Sequence, residues 1–342
     1  MFMLERKHPS SWTPLIFALL LVLAMRCLIA ATPLGHSVPA SPVLLITSAD
    51  GPEGLPLTQA ILRGGRQHVV AGVDDVRSDA AVQLEALGAS IRTLSKPAKS
   101  ADFAGVDCVL ILAPLTQDRE EQGRAQIVAA AAEVDTALLL SVSGANETGA
   151  PASLHAYRAL ELQLGRTWPT SSYAVLRTLF YQQNLELWAA DVRASGVLRL
   201  PLYGRTFAPL HQHDVAAVTV SLTATARLEA RFERRALELT GPELVSGGSL
   251  ATKLSAAVGT PIRFANASRA QAEQTLLSNP ALDESEATLL LDLLDWQSRI
   301  VSRPSGDVKA ATGMDATPVE TFFNEASDEF RNHTHRLPAR AR

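Results

Sequence analysis

A turn of small and polar residues, TSADGPEG from Thr47 to Gly54, separates an apolar run from an amphipathic one within VLLITSADGPEGLPLTQAILRGG, Val43 to Gly65. That order reads as strand, tight loop and helix. Such a loop sets backbone N–H groups at the positive end of a helix, where the phosphates of a nucleotide are held. Glycines in this position make the turn, let a diphosphate approach the backbone, and pack helix against strand. Ser48 stands where the first glycine would fall, while Gly51 and Gly54 keep the other two places. Thr47, Ser48, Asp50, Gly51 and Gly54 are the candidate cofactor-binding residues of the turn.

A second apolar run, His68 to Val73, ends in Asp74 and Asp75, with Asp74 twenty residues beyond Gly54. An acidic side chain at that strand tip accepts the ribose hydroxyls of NAD and repels the extra phosphate of NADP. Asp74 therefore marks NAD as the favoured cofactor over NADP. An Asp pair after a strand serves equally well as turn chemistry.

The elements that must position these residues alternate along the chain. Strand-like runs fall at Val43 to Thr47, His68 to Val73, Ser90 to Leu94, Cys108 to Ala113, Ala137 to Val142 and Ala174 to Leu176. Between them, Leu55 to Arg63, Ala80 to Leu87, Arg119 to Glu133 and Leu154 to Leu164 space apolar residues as a helix lying on a sheet requires. The pattern predicts an α/β fold, a Rossmann-type doubly wound parallel sheet with a small, mostly helical C-terminal lobe. Beyond residue 178 it predicts a helix over Tyr181 to Ala194, short extended pieces over Gly196 to Pro209, and a helix from His211 to Ala226 capped by Asp214. His211 and His213 lack a third ligand nearby in the sequence, so no metal is expected.

With 342 residues, 47% of them hydrophobic, the chain can bury a sizeable core. A net charge of -4 gives no electrostatic footprint for nucleic acid. Residues 1–40 stand apart: Glu5 to His8 precede the apolar run Leu15 to Met25, Arg26 interrupts, and Cys27 to Ala31 follow. They read as a signal anchor or signal peptide plus linker, with membrane contact through residues 12–31. The expectation is a membrane-associated protein whose domain faces the cytosol, a secreted or plain cytosolic protein being the alternatives. Sequons at Asn146, Asn266 and Asn332 would be usable only in the secretory lumen.

Several separate segments share one likeness. The turn TSADGPEG is similar to TGATGxxG; GVDCVLILAP, Gly105 to Pro114, to a fourth strand; YAVLRTLFYQQNL, Tyr173 to Leu185, to an LRP-containing stretch; and LTGPELVSGGSLATKLSAAVGTPIRF, Leu239 to Phe264, to a substrate lobe. In this order and spacing the body from Val43 to about Phe330 resembles the NmrA-like proteins, atypical members of the short-chain dehydrogenase superfamily. The resemblance implies an NAD(P)-binding body over 41–342, with a Rossmann core at 41–178, a substrate lobe at 179–330 and a polar tail at 331–342. It also implies that Ala113 and Pro114 lie beneath the nicotinamide.

Departures from the family pattern bear on activity. The superfamily's usual proton donor is a Tyr with a Lys four residues on; here Tyr157 is followed by Glu161, which would raise the tyrosine pKa. Counting eighteen residues back from Arg177, where catalytic relatives carry a lysine, gives Ala159. Its neighbour Arg158 supplies a positive charge but no proton relay. Ser141 and Ser143 stand where the orienting serine would be. Tyr157, Ser141 and Arg158 are the candidate catalytic residues, with His155 a further donor and Phe180 and Tyr181 candidate pocket walls. Two functions follow: an oxidoreductase passing hydride between a nicotinamide cofactor and a small carbonyl or quinone, or a non-catalytic dinucleotide sensor that regulates a protein partner.

Overall fold

The computed structural model describes residues 41–65, 67–168, 172–280 and 282–331. Along the first half run β1 (Val43–Ile46), α1 (Gly54–Gly64), β2 (His68–Val73), α2 (Asp79–Ala86), β3 (Ser90–Thr93), β4 (Cys108–Ile111), α3 (Arg119–Ala130), β5 (Thr136–Val142), α4 (His155–Thr167) and β6 (Ser172–Thr178). The second half adds α5 (Ala189–Ser195), β7 (Val197–Leu200), β8 (Thr206–Phe207), α6 (Gln212–Leu222), β9 (Arg235–Leu239), β10 (Val245–Ser246), α7 (Gly247–Val258), β11 (Arg263–Asn266), α8 (Arg269–Leu277) and α9 (Glu284–Ile300).

Seven strands form one parallel sheet in the order β3-β2-β1-β4-β5-β6-β9. Its strands are apolar on both faces because helices cover both. Leu44, Ile46, Leu110, Leu138 and Leu176 meet Leu57 and Ile61 of α1 and Val215 and Val218 of α6. Leu45, Val109, Ile111 and Leu139 meet Ile127 of α3 and Leu160 and Leu164 of α4 on the other side. Burying each such side chain stabilises the fold by about 1.5–3 kcal/mol. The expected α/β architecture is the one observed. Strand order reverses between β1 and β4, which opens a crevice at the carboxyl ends of those strands.

The second half builds a smaller cluster around the β7/β11 pair and the β8/β10 pair. Helix α9 joins this lobe to the sheet: the Gln297 carboxamide accepts from the Phe180 N–H (2.7 Å) and donates to the Thr178 carbonyl (3.2 Å). The Trp296 indole adds a hydrogen bond to the Gly144 carbonyl at 3.1 Å.

Three expectations are corrected here. Arg235–Leu239 is a seventh strand of the main sheet, absent from the six strand-like runs read in the sequence. Helix α6 is capped by His211, whose Nδ1 accepts from the His213 N–H (3.1 Å). Asp214 sits one turn further in, buried, and its carboxylate accepts from the N–H (2.9 Å) and hydroxyl (2.7 Å) of Thr317. Membrane association is corrected too, since no helix among the described residues is long and apolar enough to cross a membrane. The expected anchor within 1–40, the Asn332 sequon and all of the polar tail but Arg331 lie outside the described residues.

Candidate functional site

The β1–α1 turn is held by its own backbone. The Ser48 carbonyl accepts from the Gly51 N–H at 3.1 Å, and Ser48 itself adopts φ 48°, the left-handed region that favours glycine. A Cβ on Gly54 would overlap the Ser48 carbonyl oxygen, so only glycine lets α1 start against the turn. Thr47 is fully buried and exchanges hydrogen bonds with Leu112, its Oγ1 donating to the carbonyl and accepting from the N–H, both at 2.9 Å. It ties the end of β1 to the segment after β4. The Asp50 carboxylate accepts from the Asp74 N–H at 3.0 Å, fastening the turn to the tip of β2.

At that tip the Asp74 carboxylate is exposed and ion-paired with Lys96 Nζ at 2.6 Å. Lys96 follows β3, which pairs with β2, and both residues line a narrow pocket with Ser48, Gly72 and Gln126. The strand tip thus carries both signs of charge. Sequence reasoning missed Lys96 because twenty-two positions separate it from Asp74.

On the other side of the turn lies a cavity of about 390 Å³. Pro52 and Glu53 form its floor, Tyr157 of α4 and the Thr178 to Tyr181 segment its walls, and Leu289 and Leu293 of α9 its roof. Inside, the Tyr181 hydroxyl donates to Glu53 Oε1 at 2.8 Å. Burial raises the Glu53 carboxyl above the usual carboxylate range, while the Tyr181 hydrogen bond and the Arg119 charge pull it down. Arg119, at the start of α3, lies over the Tyr157 ring with its guanidinium carbon 5.1 Å from the centroid, and its Nε donates to the Pro114 carbonyl at 3.1 Å. Burial pushes the Tyr157 hydroxyl up to about 12. The carboxylate that raises it is Glu53, in place of the Glu161 expected from the sequence. Neither Glu53 nor Arg119 stands out in the sequence, since charged residues in turns and first helical turns are ordinarily solvated.

No family model matches the chain. An NAD(P)H azoreductase of Xenophilus azovorans is 27% identical over 221 residues, 60% of this chain and 74% of that protein. The crystal structure of an Escherichia coli NADPH-dependent quinone oxidoreductase complexed with NADPH superposes with TM-score 0.69 at 22% identity, covering 82% of this chain and 99% of the other. That of NmrA, a negative transcriptional regulator, superposes with TM-score 0.62 at 14% identity, covering 84% and 96%. The fold is NmrA-like. This fold is the one that the sequence resemblance implied.

Within this NmrA-like fold the remaining candidates part company. Ser141 shares its face of β5 with Leu139, under α4, and donates to Glu161 Oε1 at 2.8 Å. Arg177 of β6 grips the same buried carboxylate through Nε (2.9 Å) and a terminal nitrogen (2.8 Å), and Arg158 reaches it at 3.5 Å. Ser141, Arg158, Glu161 and Arg177 form a structural knot behind the sheet, apart from the cavity that Tyr157 lines. Ser143 donates its N–H to the Thr178 carbonyl at 2.9 Å, and exposed His155 has Nε2 3.2 Å from the Ala150 carbonyl. Phe180 walls the cavity and packs edge-on to Phe207, centroids 5.9 Å apart. Ala113 is buried in the segment after β4, ahead of Pro114, which Arg119 anchors.

Proposed function

We propose that this chain is an oxidoreductase that binds a nicotinamide dinucleotide across the β1/β4 crevice and reduces a small carbonyl or quinone in the adjoining cavity. One observation carries the reading: a glycine turn at the topological switch point shares Pro52 and Glu53 with an apolar cavity. The names of the azoreductase relative and of the quinone oxidoreductase neighbour support it.

The residues fit such a cofactor. Gly54 lets α1 begin against the turn; with the Leu55 N–H given to the Gly51 carbonyl at 2.9 Å and no N–H on Pro56, a diphosphate would be met by the N–H groups of Glu53 and Gly54 at the helix start. Asp74 and Lys96 meet the far ribose, and Ala113 and Pro114 underlie the near ring. When bound in reduced form, the nicotinamide supplies a hydride. The core, 41–178, holds the cofactor, and the lobe, 179–330, closes the cavity over the acceptor. Tyr157 and Phe180 position a flat acceptor by apolar contact, and Arg119 keeps Tyr157 and the Pro114 loop in place.

Asp74 favours NADH, and Lys96 weakens that preference by offsetting its charge. Lys96→Ala is expected to raise the NADH over NADPH affinity ratio about two- to fivefold, in line with an exposed ion pair. Asp74→Arg is expected to reverse the preference by about tenfold or more. Fluorescence titration of both variants with both nucleotides checks the pair; an unchanged ratio in each contradicts this assignment.

The activity itself is tested by oxidation of NADH with menadione. Turnover supports the oxidoreductase; tight binding without turnover of any quinone or carbonyl supports the dinucleotide-sensor reading, with cofactor occupancy read by a protein partner.

A further inference from the structure

We infer that Glu53 is the acid of this site, the group that hands a proton to the oxygen of an acceptor held in the cavity. The inference rests on the oxidoreductase reading above and gives it the proton donor that the usual Tyr/Lys pair would otherwise supply. Geometry singles Glu53 out. It stands in the turn immediately before α1, is half-buried, and lines the same cavity as Tyr157, Phe180 and the α9 leucines. Its carboxyl is oriented by the Tyr181 hydroxyl at 2.8 Å, with a tyrosine that is itself buried.

The groups facing it set the balance between its protonated and ionised forms. Arg119 from α3 and the Tyr181 hydrogen bond favour the carboxylate, but desolvation against the cavity wall outweighs them and raises the carboxyl. Tyr157 from α4 stays neutral, and Glu186 and Glu286 line the same cavity and add no positive charge. A diphosphate held at the start of α1 would bring negative charge near this carboxyl and disfavour its ionised form. Cofactor binding therefore loads the acid. Tyr157, with its hydroxyl pushed up to about 12, is the weaker donor near neutral pH.

The step balances. An acceptor that has gained a hydride, two electrons and one hydrogen, carries negative charge on oxygen. The O–H bond of Glu53 breaks as an O–H bond forms on that oxygen, leaving the neutral two-electron-reduced product and a Glu53 carboxylate. Water then returns a proton to the carboxylate.

Glu53→Gln keeps the shape and a partner for Tyr181 but has no proton to give. In the full chain it is expected to bind NADH, while menadione reduction falls about a hundredfold or more and loses its decline with rising pH. Calorimetric titration with NADH in two buffers of different ionisation enthalpy is expected to show proton uptake by the unaltered protein and none by Glu53→Gln. Tyr181→Phe removes a hydrogen bond that favours the carboxylate, so the decline in rate should move to higher pH. A stability readout runs in parallel: a carboxyl raised in the folded state stabilises below its unfolded value and loses that contribution as pH rises through the folded one. Unaltered protein should thus lose stability relative to Glu53→Gln over that window. Turnover by Glu53→Gln within threefold of normal with the same pH profile, or no proton uptake by the unaltered protein, overturns the inference alone. Absence of NADH and NADPH binding by both proteins overturns it together with the oxidoreductase reading.

Discussion

Arg177→Ala is expected to destabilise the fold by about 3–5 kcal/mol, the cost of leaving a buried carboxylate without its countercharge. The Glu161 side chain is 4% exposed and accepts two hydrogen bonds from the Arg177 fork, whose third nitrogen donates to Glu238 of β9 at 3.0 Å. After truncation only Ser141 at 2.8 Å and the more distant Arg158 at 3.5 Å remain to Glu161. Two adjacent strands, β6 and β9, also lose a side-chain tie across their pairing. Urea denaturation measures the change. The double variant Arg177→Met/Glu161→Leu should recover most of the loss, because an apolar pair of similar volume carries no desolvation penalty. A loss below about 1 kcal/mol in Arg177→Ala, the range of exposed pairs, would show that the buried fork does not form.

Gly54→Ala carries the other large effect. Its methyl group would overlap the Ser48 carbonyl, a backbone atom that cannot rotate away, and Ser48 already sits at φ 48°. The turn or the start of α1 must shift, at a cost of about 1–3 kcal/mol. Displacement by a fraction of an ångström is enough to misdirect the N–H groups that hold phosphate, so nucleotide affinity is expected to fall by about two orders of magnitude, or roughly 2.7 kcal/mol. Ser48→Gly is the control with the opposite sign: relief of the left-handed conformation stabilises by up to about 1 kcal/mol, less what the freer unfolded chain takes back. Thermal melts and nucleotide titration of both variants measure the pair. Equal binding by Gly54→Ala and the unaltered chain contradicts the role of the turn.

The sheet was legible because parallel strands buried on both faces read as continuous apolar runs, and β1, β2, β4 and β5 all do. Strand β9 was not, since its RALEL alternates charged and apolar residues at the sheet edge, where polar positions are tolerated. Side-chain parity hid the role of Ser141: on a strand successive residues face opposite ways, so Val142 lines the cavity while Ser141 meets α4. Partners distant in sequence were hidden too. Tyr181 lies 128 positions from Glu53, and only the fold brings them together. The Asp214 cap failed because His211, three residues earlier, offers a ring nitrogen to the same helix start.

The central claim is that the turn around Gly51 and Gly54 holds a pyridine dinucleotide. Isothermal titration of the purified full chain with NADH and with NADPH tests it most directly. Saturable heat at one nucleotide per chain, stronger for NADH and reduced about a hundredfold in Gly54→Ala, is the predicted result. No heat with either nucleotide, or binding that Gly54→Ala leaves unchanged, contradicts it.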